Sequence, residues 1–115
     1  MRRGDIYLVD LEPVRGGEAG KGRPAVIVSN DAANESVARH GRGVVTVAPL
    51  TSNTSRVLTF QVLVRSEESR LPKDSKVQCE QVRAVGPDRL LHKVGAVPRP
   101  RMAEVDRALR RHLAL

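Results

Sequence analysis

The 115-residue chain has almost no aromatic side chains: Tyr7 and Phe60 are its only aromatic residues, and tryptophan is absent. RNA-recognition motifs and single-strand-binding OB folds stack bases on platforms of several aromatic rings, so the composition argues against both classes. Any nucleic acid that this chain binds must be held by arginine, backbone groups and small polar side chains.

Cysteine is represented only by Cys79, so no internal disulfide can form and nothing suggests a secreted, disulfide-stapled framework. No apolar run approaches the roughly 18–20 residues of a membrane span. The N-terminus reaches Asp5 before any long apolar stretch, unlike a secretory signal peptide. We therefore expect a cytoplasmic protein with no membrane partner, folded as one domain over residues 1–115.

Clusters of metal-ligating residues are also missing. His40, His92 and His112 are far apart in sequence, and none has a second ligand type at metal-binding spacing. No Walker loop, GxSxG or HExxH motif occurs. Cys79 is expected within a strand, as a small buried hydrophobe. The sequence therefore predicts no metal site and no cofactor.

Positive charge is in excess: 20 Lys and Arg against 13 Asp and Glu give a net charge of +7, and sixteen of the bases are arginine. Such an excess favours a polyanionic partner. A basic surface in a genome that prefers arginine codons would look the same, so the charge alone does not decide the function.

Short β-strands dominate the pattern, and only the C-terminus has helical periodicity. Met102, Val105, Leu109 and Leu113 recur at three- and four-residue spacing, with Ala108 on the same stripe, which predicts a helix over Arg101–Leu113. The segment 30–38 is expected to form one or two turns, capped by Asn30 or Asp31. The connections are too short for parallel crossovers, which favours a small, mainly β barrel closed by a C-terminal helix. Strands are predicted at Asp5–Leu11, Pro24–Ser29, Gly43–Leu50, Leu58–Val64, Lys76–Cys79, Arg83–Val85 and Leu90–Val94.

Three polar segments lie between these strands. The first, from Pro13 to Pro24, joins two strands through four glycines and three bases, which is longer than a hairpin needs. Pro24 fixes Arg23 at the start of a strand, a suitable place for a phosphate-binding group. The others are the hydroxyl- and amide-rich Pro49–Ser55 and the short Cys79–Arg83. Each segment alone is also compatible with a solvated loop or an ordinary turn.

Taken together and in this order, the three segments resemble the MazF/PemK/Kid family of toxin endoribonucleases from type II toxin–antitoxin systems. The resemblance covers nearly the whole chain, and the glycine-rich loop that leads into Arg-Pro and an apolar strand is its most diagnostic part. The matching residues are Arg3-Gly4-Asp5-Ile6-Tyr7, the stretch from Gly17 to Asp31, Val47-Ala48-Pro49-Leu50-Thr51-Ser52, Glu80-Gln81-Val82-Arg83 and Glu104 to Leu109.

The resemblance implies an SH3-like barrel of the CcdB/PemK type, a homodimer, and a cognate antitoxin as partner. It also implies cleavage of single-stranded RNA at short sequences without metal, through attack of the 2′-OH on the adjacent phosphate. The products would be a 2′,3′-cyclic phosphate and a 5′-OH end, and the biological result would be inhibition of translation and growth.

The resemblance also assigns roles by position. Arg23 matches the catalytic arginine and Thr51 the catalytic hydroxyl, while Glu18 and Glu80 match acidic positions linked to activity or RNA contact. RNA contacts are expected at Gly17, Lys21, Ser52, Asn53, Gln81 and Arg83.

One position departs from a plasmid-borne branch of the family, which uses an Arg and an Asp two residues apart. The corresponding residues here are Gln78 and Glu80, and glutamine supplies neither a full charge nor a proton. The mechanism should therefore follow the branch that relies on Arg23 and Thr51, with Arg23 stabilising charge because arginine stays protonated.

Two other functions fit parts of the pattern. A CcdB-like gyrase poison has the same barrel and acts by protein binding alone, but it typically ends in an aromatic residue, which this C-terminus lacks. A plain RNA-binding module would bind RNA without cutting it.

Overall fold

The computed structural model describes residues 1–11 and 22–115. Three residues predicted for the functional site, Gly17, Glu18 and Lys21, lie outside the described residues, as does most of the glycine-rich loop. The described strands are β1 Asp5–Val9, β2 Arg23–Ile27, β3 Val45–Thr51, β4 Gln61–Val64, β5 Ser75–Gln78, β6 Arg83–Val85 and β7 Leu90–Ala96. The helices are α1 Asp31–His40, α2 Ser66–Ser69 and α3 Arg99–Leu113, with 3-10 turns at Cys79–Gln81 and Pro87–Arg89.

The strands form one antiparallel sheet in the order β4-β5-β3-β2-β1-β7, and β6 pairs with the first half of β3. On one side β3 pairs with β2; on the other, its end pairs with β5 and its start with β6. Between these two pairings, Ala48 and Pro49 face the break made by the Cys79–Gln81 turn. Pro49 has no N–H to donate, so its place at this break fits the limits on proline inside a sheet.

The sheet bends around one core and carries a second on its other face. The first core joins Ile6 and Val26 of the central strands to Val62 of β4 and Val105 of α3. Val105 is fully buried; burying such a side chain stabilises the fold by about 1.5–3 kcal/mol. The second core packs Val37 of α1 against the opposite face. This mainly β barrel with a C-terminal helix confirms the predicted fold class.

Helix α1 is longer than the one or two turns predicted. The side chain of Asn30 accepts a hydrogen bond of 2.8 Å from the backbone nitrogen of Ala33, which makes Asn30 the N-cap. The helix ends at His40 and is capped by Gly41, whose φ of 68° suits glycine. The sequence gives little sign of the full length of this helix, because it has few apolar residues and therefore no clear apolar stripe. Only Asn34 and Val37 are buried in it.

Helix α3 begins two residues before the predicted start, and its stripe is correct as far as residue 109. Met102, Val105 and Ala108 are buried, but Leu113 is half exposed. Residues 110–115 are all exposed, so the last turn leaves the core of the described chain.

Two further local predictions were wrong, and one short helix was missed. Cys79 does not lie within a strand but begins the 3-10 turn, although it is fully buried as expected. Strand β4 begins at Gln61 and not at Leu58. The short helix α2, Ser66–Ser69, was not predicted. In the described ranges, no helix is long and apolar enough to cross a membrane.

Candidate functional site

Arg23 and Thr51 lie at one end of two neighbouring strands. Arg23 is the first residue of β2 and Thr51 the last residue of β3. The antiparallel register places Ala25 opposite Pro49, so two further residues along each strand bring Arg23 level with Thr51. Side chains two apart on a strand share a face. The pair therefore extends the same face of the sheet as Ala25 and Pro49.

Both residues line a cleft of about 350 Å³. Its polar lining consists of Arg23, Thr51, Ser52, Lys73 and Ser75, and the buried Leu50 and Leu71 contribute apolar surface. Among the described residues, the lining holds two cations and no carboxylate. A cleft of this composition suits a phosphate group, because the cations and hydroxyl groups of its described lining can bind phosphate oxygens.

The Thr51 hydroxyl is oriented by the backbone of the following turn. Its Oγ1 accepts a hydrogen bond of 3.3 Å from the backbone nitrogen of Asn53. A threonine hydroxyl is both acceptor and donor, so this contact leaves its O–H group available to a ligand. The half-buried position of Thr51 restricts the directions in which that proton can point.

The Arg23 side chain is exposed, and no hydrogen bond or ion pair joins its guanidinium to another residue within 1–11 or 22–115. Pro24 follows directly and fixes its own φ near −65°. The guanidinium therefore leaves a fixed strand end while keeping its donor groups available for an anion.

Ser52 and Asn53 begin the segment between β3 and β4. Oδ1 of Asn53 accepts hydrogen bonds from the backbone nitrogen of Ser55, at 3.4 Å, and from its hydroxyl, at 2.9 Å. These contacts form a local turn beside the cleft. Ser52 lines the cleft itself, whereas Asn53 is exposed next to it.

Glu80 does not line this cleft; it is half-buried beside the buried Gln61 and Cys79. Its Oε2 accepts a hydrogen bond of 2.8 Å from Nε2 of Gln61, and its Oε1 is inaccessible and has no partner in the described chain. The neighbouring Cys79 is buried, and this burial, together with the charge of Glu80, raises the pKa of the thiol to about 11. Cys79 is therefore a neutral thiol near pH 7, as expected for a packing residue.

Gln81 and Arg83 are exposed, and neither lines the cleft of Arg23. Arg83 begins β6, opposite Val47 of β3. The structure thus brings together Arg23, Thr51 and Ser52 from the predicted set, with Asn53 adjacent. Glu80 lies apart from them, in contact with Gln61.

Sequence reasoning missed Lys73 and Ser75 in the cleft, and Gln61 beside Glu80. The pairing of Thr51 with Lys76 brings the start of β5 next to the end of β3. A contact between such distant segments cannot be predicted from a local sequence pattern. For Lys73, the sequence signal that could have indicated a site residue was its position among polar residues just before a short strand. In the described ranges, no group of three or more His, Cys, Asp or Glu side chains could hold a metal ion.

Fold and cleft together define a small antiparallel β-barrel protein, closed by a C-terminal helix, with a cationic, hydroxyl-bearing cleft at one sheet end. Comparison with known proteins gives the family. The family model described as PemK-like, MazF-like toxin of type II toxin-antitoxin system matches residues 2–113. The chain belongs to this toxin family.

Named relatives agree with this assignment. Endoribonuclease MazF9 of Mycobacterium tuberculosis (strain ATCC 25618 / H37Rv) is 50% identical over 115 residues, which are 100% of this chain and 98% of the relative. Endoribonuclease MazF of Staphylococcus epidermidis is 37% identical over 110 residues, covering 95% of this chain and 88% of the relative.

Solved structures match the fold along the whole chain. A mycobacterial endoribonuclease in complex with its cognate antitoxin has a TM-score of 0.78 and 27% identity, covering 100% of this chain and 96% of that one. MazF from Deinococcus radiodurans has a TM-score of 0.78 and 22% identity, covering 100% and 97%; at that identity the likeness concerns the fold alone.

Proposed function

We propose that this chain is the toxin of a type II toxin–antitoxin system and an endoribonuclease that cuts single-stranded RNA without a metal ion. The observation that carries the proposal is the cleft shared by Arg23 and Thr51. It combines a guanidinium that has no partner among the described residues with a hydroxyl whose proton is not used in its contact with Asn53. The membership in a toxin family and the names of the two relatives support the same function.

The proposed reaction transfers the phosphate within the RNA. The ribose 2′-oxygen forms a bond to phosphorus and gives up its proton, while the bond from phosphorus to the 5′-oxygen breaks and that oxygen takes up a proton. The products are a 2′,3′-cyclic phosphate and a 5′-OH end. Between these states the phosphate oxygens carry added negative charge, which fixed donors stabilise more than they stabilise the substrate.

Arg23 and Thr51 supply these donors. The guanidinium of Arg23 can donate two parallel hydrogen bonds to phosphate oxygens, and the Thr51 hydroxyl can donate a third. Lys73 adds positive charge to the same cleft. Of the acidic residues predicted for the site, Glu18 lies outside the described residues, and its role in activity or RNA contact stays a prediction.

The RNA chain beyond the reacting phosphate would be held by Ser52, Asn53, Gln81 and Arg83, and by Gly17 and Lys21 in the glycine-rich loop. These contacts are predictions from the family resemblance. Since phosphate contacts release counterions, RNA binding should weaken as the salt concentration rises.

The proposed assembly is a cytoplasmic homodimer whose interface includes strand-end loops and the last helix. The exposed Leu113 and Leu115 at the end of α3, 50% and 85% exposed, support this surface as a contact between two copies. Sedimentation at micromolar concentration should give the mass of a dimer; a monomer alone would contradict the assembly.

An acidic antitoxin segment is the expected protein partner of this basic toxin, because opposite charge favours its association.

The test is to incubate the purified chain with a long RNA of mixed sequence in excess chelator. Cleavage should proceed at the same rate as without chelator, and the new 5′ ends should accept phosphate from a polynucleotide kinase without prior dephosphorylation. A strict requirement for magnesium, or 5′-phosphate ends, would refute the mechanism. Binding without cleavage would indicate an RNA-binding module, and neither activity would favour a CcdB-like, protein-binding toxin.

A further inference from the structure

The segment between β3 and β4, residues 52–60, is tied to the sheet by two side chains. Nζ of Lys76 donates a hydrogen bond of 2.6 Å to the backbone oxygen of Arg56. Oε1 of Gln61 accepts one of 3.0 Å from the backbone nitrogen of Leu58. The 52–60 segment is therefore anchored near its middle and near its end, while its beginning borders the cleft of Arg23 and Thr51.

Gln61 makes a second hydrogen bond with the other end of its amide. Its Nε2 donates to Oε2 of Glu80 at 2.8 Å, and the residue is only 8% exposed. A side-chain amide is donor and acceptor at once. An ionised carboxylate could keep the contact with Leu58 but could not donate to Glu80, and an aliphatic side chain could make neither contact.

We propose, on the basis of the proposed RNA cleavage, that Gln61 is a positioning residue that ties the 52–60 segment to the half-buried carboxylate of Glu80. Through this link Glu80 affects the cleft without touching the RNA, because it fixes Gln61 and thereby the segment that begins with Ser52 and Asn53. Lys76 supports the same segment from β5.

The second oxygen of Glu80 makes the link sensitive to charge. Oε1 is buried and has no partner within the described chain, so the amide of Gln61 is the donor that the described residues supply to this carboxylate. A second carboxylate at position 61 would put two negative groups within hydrogen-bond distance of each other, and such a pair retains one proton at a pH where isolated carboxyls have lost theirs.

The variant Gln61→Glu therefore gives a test in which pH restores the missing donor. At high pH both carboxylates are ionised, the donor to Glu80 is lost, and the 52–60 segment loses its link. At lower pH the pair shares one proton, and the protonated carboxyl donates to its neighbour as the amide did. Other charged groups around Gln61 are Glu104, Arg107 and Arg111, which line a small pocket with it, and Lys76; all are unchanged in the variant.

The measurement is the ratio of variant to wild-type kcat/KM for RNA cleavage between pH 8 and pH 5.5, which removes the pH dependence of the reaction itself. The ratio should be low at pH 8 and rise about ten-fold or more by pH 5.5. The reason is that the protonated fraction of the carboxylate pair rises by up to ten-fold for each unit by which the pH falls. A ratio that stays constant with pH would overturn the proposal.

Gln78→Glu is the matched control. Gln78 lies opposite Gln61 in the β4–β5 pair, and its side chain has no hydrogen bond to another described residue. The substitution adds the same charge in the same strand pair but removes no donor to Glu80. Its ratio to wild type should not recover as pH falls; recovery equal to that of Gln61→Glu would mean that any added carboxylate gives the effect.

A readout without RNA separates this proposal from the proposed function. Amide hydrogen exchange at Leu58 should be slow in the wild type and in Gln61→Glu, which keep an acceptor, and at least ten-fold faster in Gln61→Leu. If the wild type does not cut RNA, the proposed function fails. The exchange pattern at Leu58 still shows whether the side chain of Gln61 holds the 52–60 segment. If Gln61→Leu exchanges and cuts RNA like the wild type, Gln61 positions nothing.

Discussion

Arg23 and Thr51 stand level with each other at the ends of two paired strands, and both line one cleft. They are 28 positions apart in the sequence, so the antiparallel register of β2 and β3 creates their proximity. Because both residues lie in strands with buried neighbours, the backbone positions from which the guanidinium and the hydroxyl extend are fixed beside the cleft. Donors that extend from a fixed backbone need less reorganisation at a developing charge than donors on a mobile backbone.

Arg23→Ala should reduce RNA cleavage by about 10³–10⁵, in analogy with arginines that stabilise phosphoryl transfer. Its melting temperature should stay close to that of the wild type, because the side chain is exposed and leaves no cavity. Single-turnover cleavage and thermal unfolding measure the two effects. Arg42→Ala, at another exposed arginine outside the cleft, is the matched control and should keep nearly full activity. If Arg23→Ala cuts at the wild-type rate, the active site lies elsewhere.

Arg23→Lys tests the geometry of the contact separately from its charge. Lysine keeps the positive charge but loses the planar fork that donates two parallel hydrogen bonds. We expect a rate between those of the wild type and Arg23→Ala, together with RNA binding that depends on salt as in the wild type. Full activity with lysine would show that residue 23 acts only as a point charge.

Thr51→Ala should lower the cleavage rate by about 10²–10³, which is the usual effect of removing one neutral donor at an oxyanion. Thr51→Ser keeps the hydroxyl that accepts from the backbone nitrogen of Asn53 and should recover most of this loss. The comparison is made on kcat with saturating RNA, so that weaker binding does not enter. Equal rates for the alanine and serine variants would exclude a role for the hydroxyl.

The predictable parts of the molecule were those with a local signal. The apolar run after Pro24 predicted β2, and the spacing of Met102, Val105 and Ala108 predicted α3. The family resemblance predicts the fold class and identifies Arg23 and Thr51 as site residues. Their proximity follows from the pairing of β2 with β3. These signals lie within short segments or in one ordered set of motifs.

The parts that sequence reasoning missed depend on contacts between distant segments. Lys73 reaches the cleft because β5 pairs with the end of β3, and Gln61 meets Glu80 across 19 positions of sequence. Helix α2 has four residues and no apolar stripe, so periodicity has nothing to detect. Leu113 continued the helical stripe, but periodicity does not report where the sheet beneath a helix ends.

The pH dependence of stability should show the contribution of Glu68. Its carboxylate accepts hydrogen bonds from the backbone nitrogen of Arg65, at 2.8 Å, and from Nε of Arg101, at 3.2 Å. The Arg65 backbone bond first, and then Arg101, lower the pKa of Glu68 below its ordinary value of 4.5. A carboxyl with a lowered pKa in the folded state stabilises the fold above its unfolded pKa, and this stabilisation is lost as pH falls through the folded value.

Glu68→Gln removes this titration, so its urea midpoint should fall less than that of the wild type between pH 7 and pH 3. At pH 7 the variant should be the less stable of the two, because the ion pair with Arg101 is gone. Glu67→Gln, at the exposed neighbouring residue, removes the same charge without these contacts and should follow the wild-type curve. If the curves of Glu68→Gln and Glu67→Gln are parallel over this range, the contacts of Glu68 do not contribute to acid sensitivity.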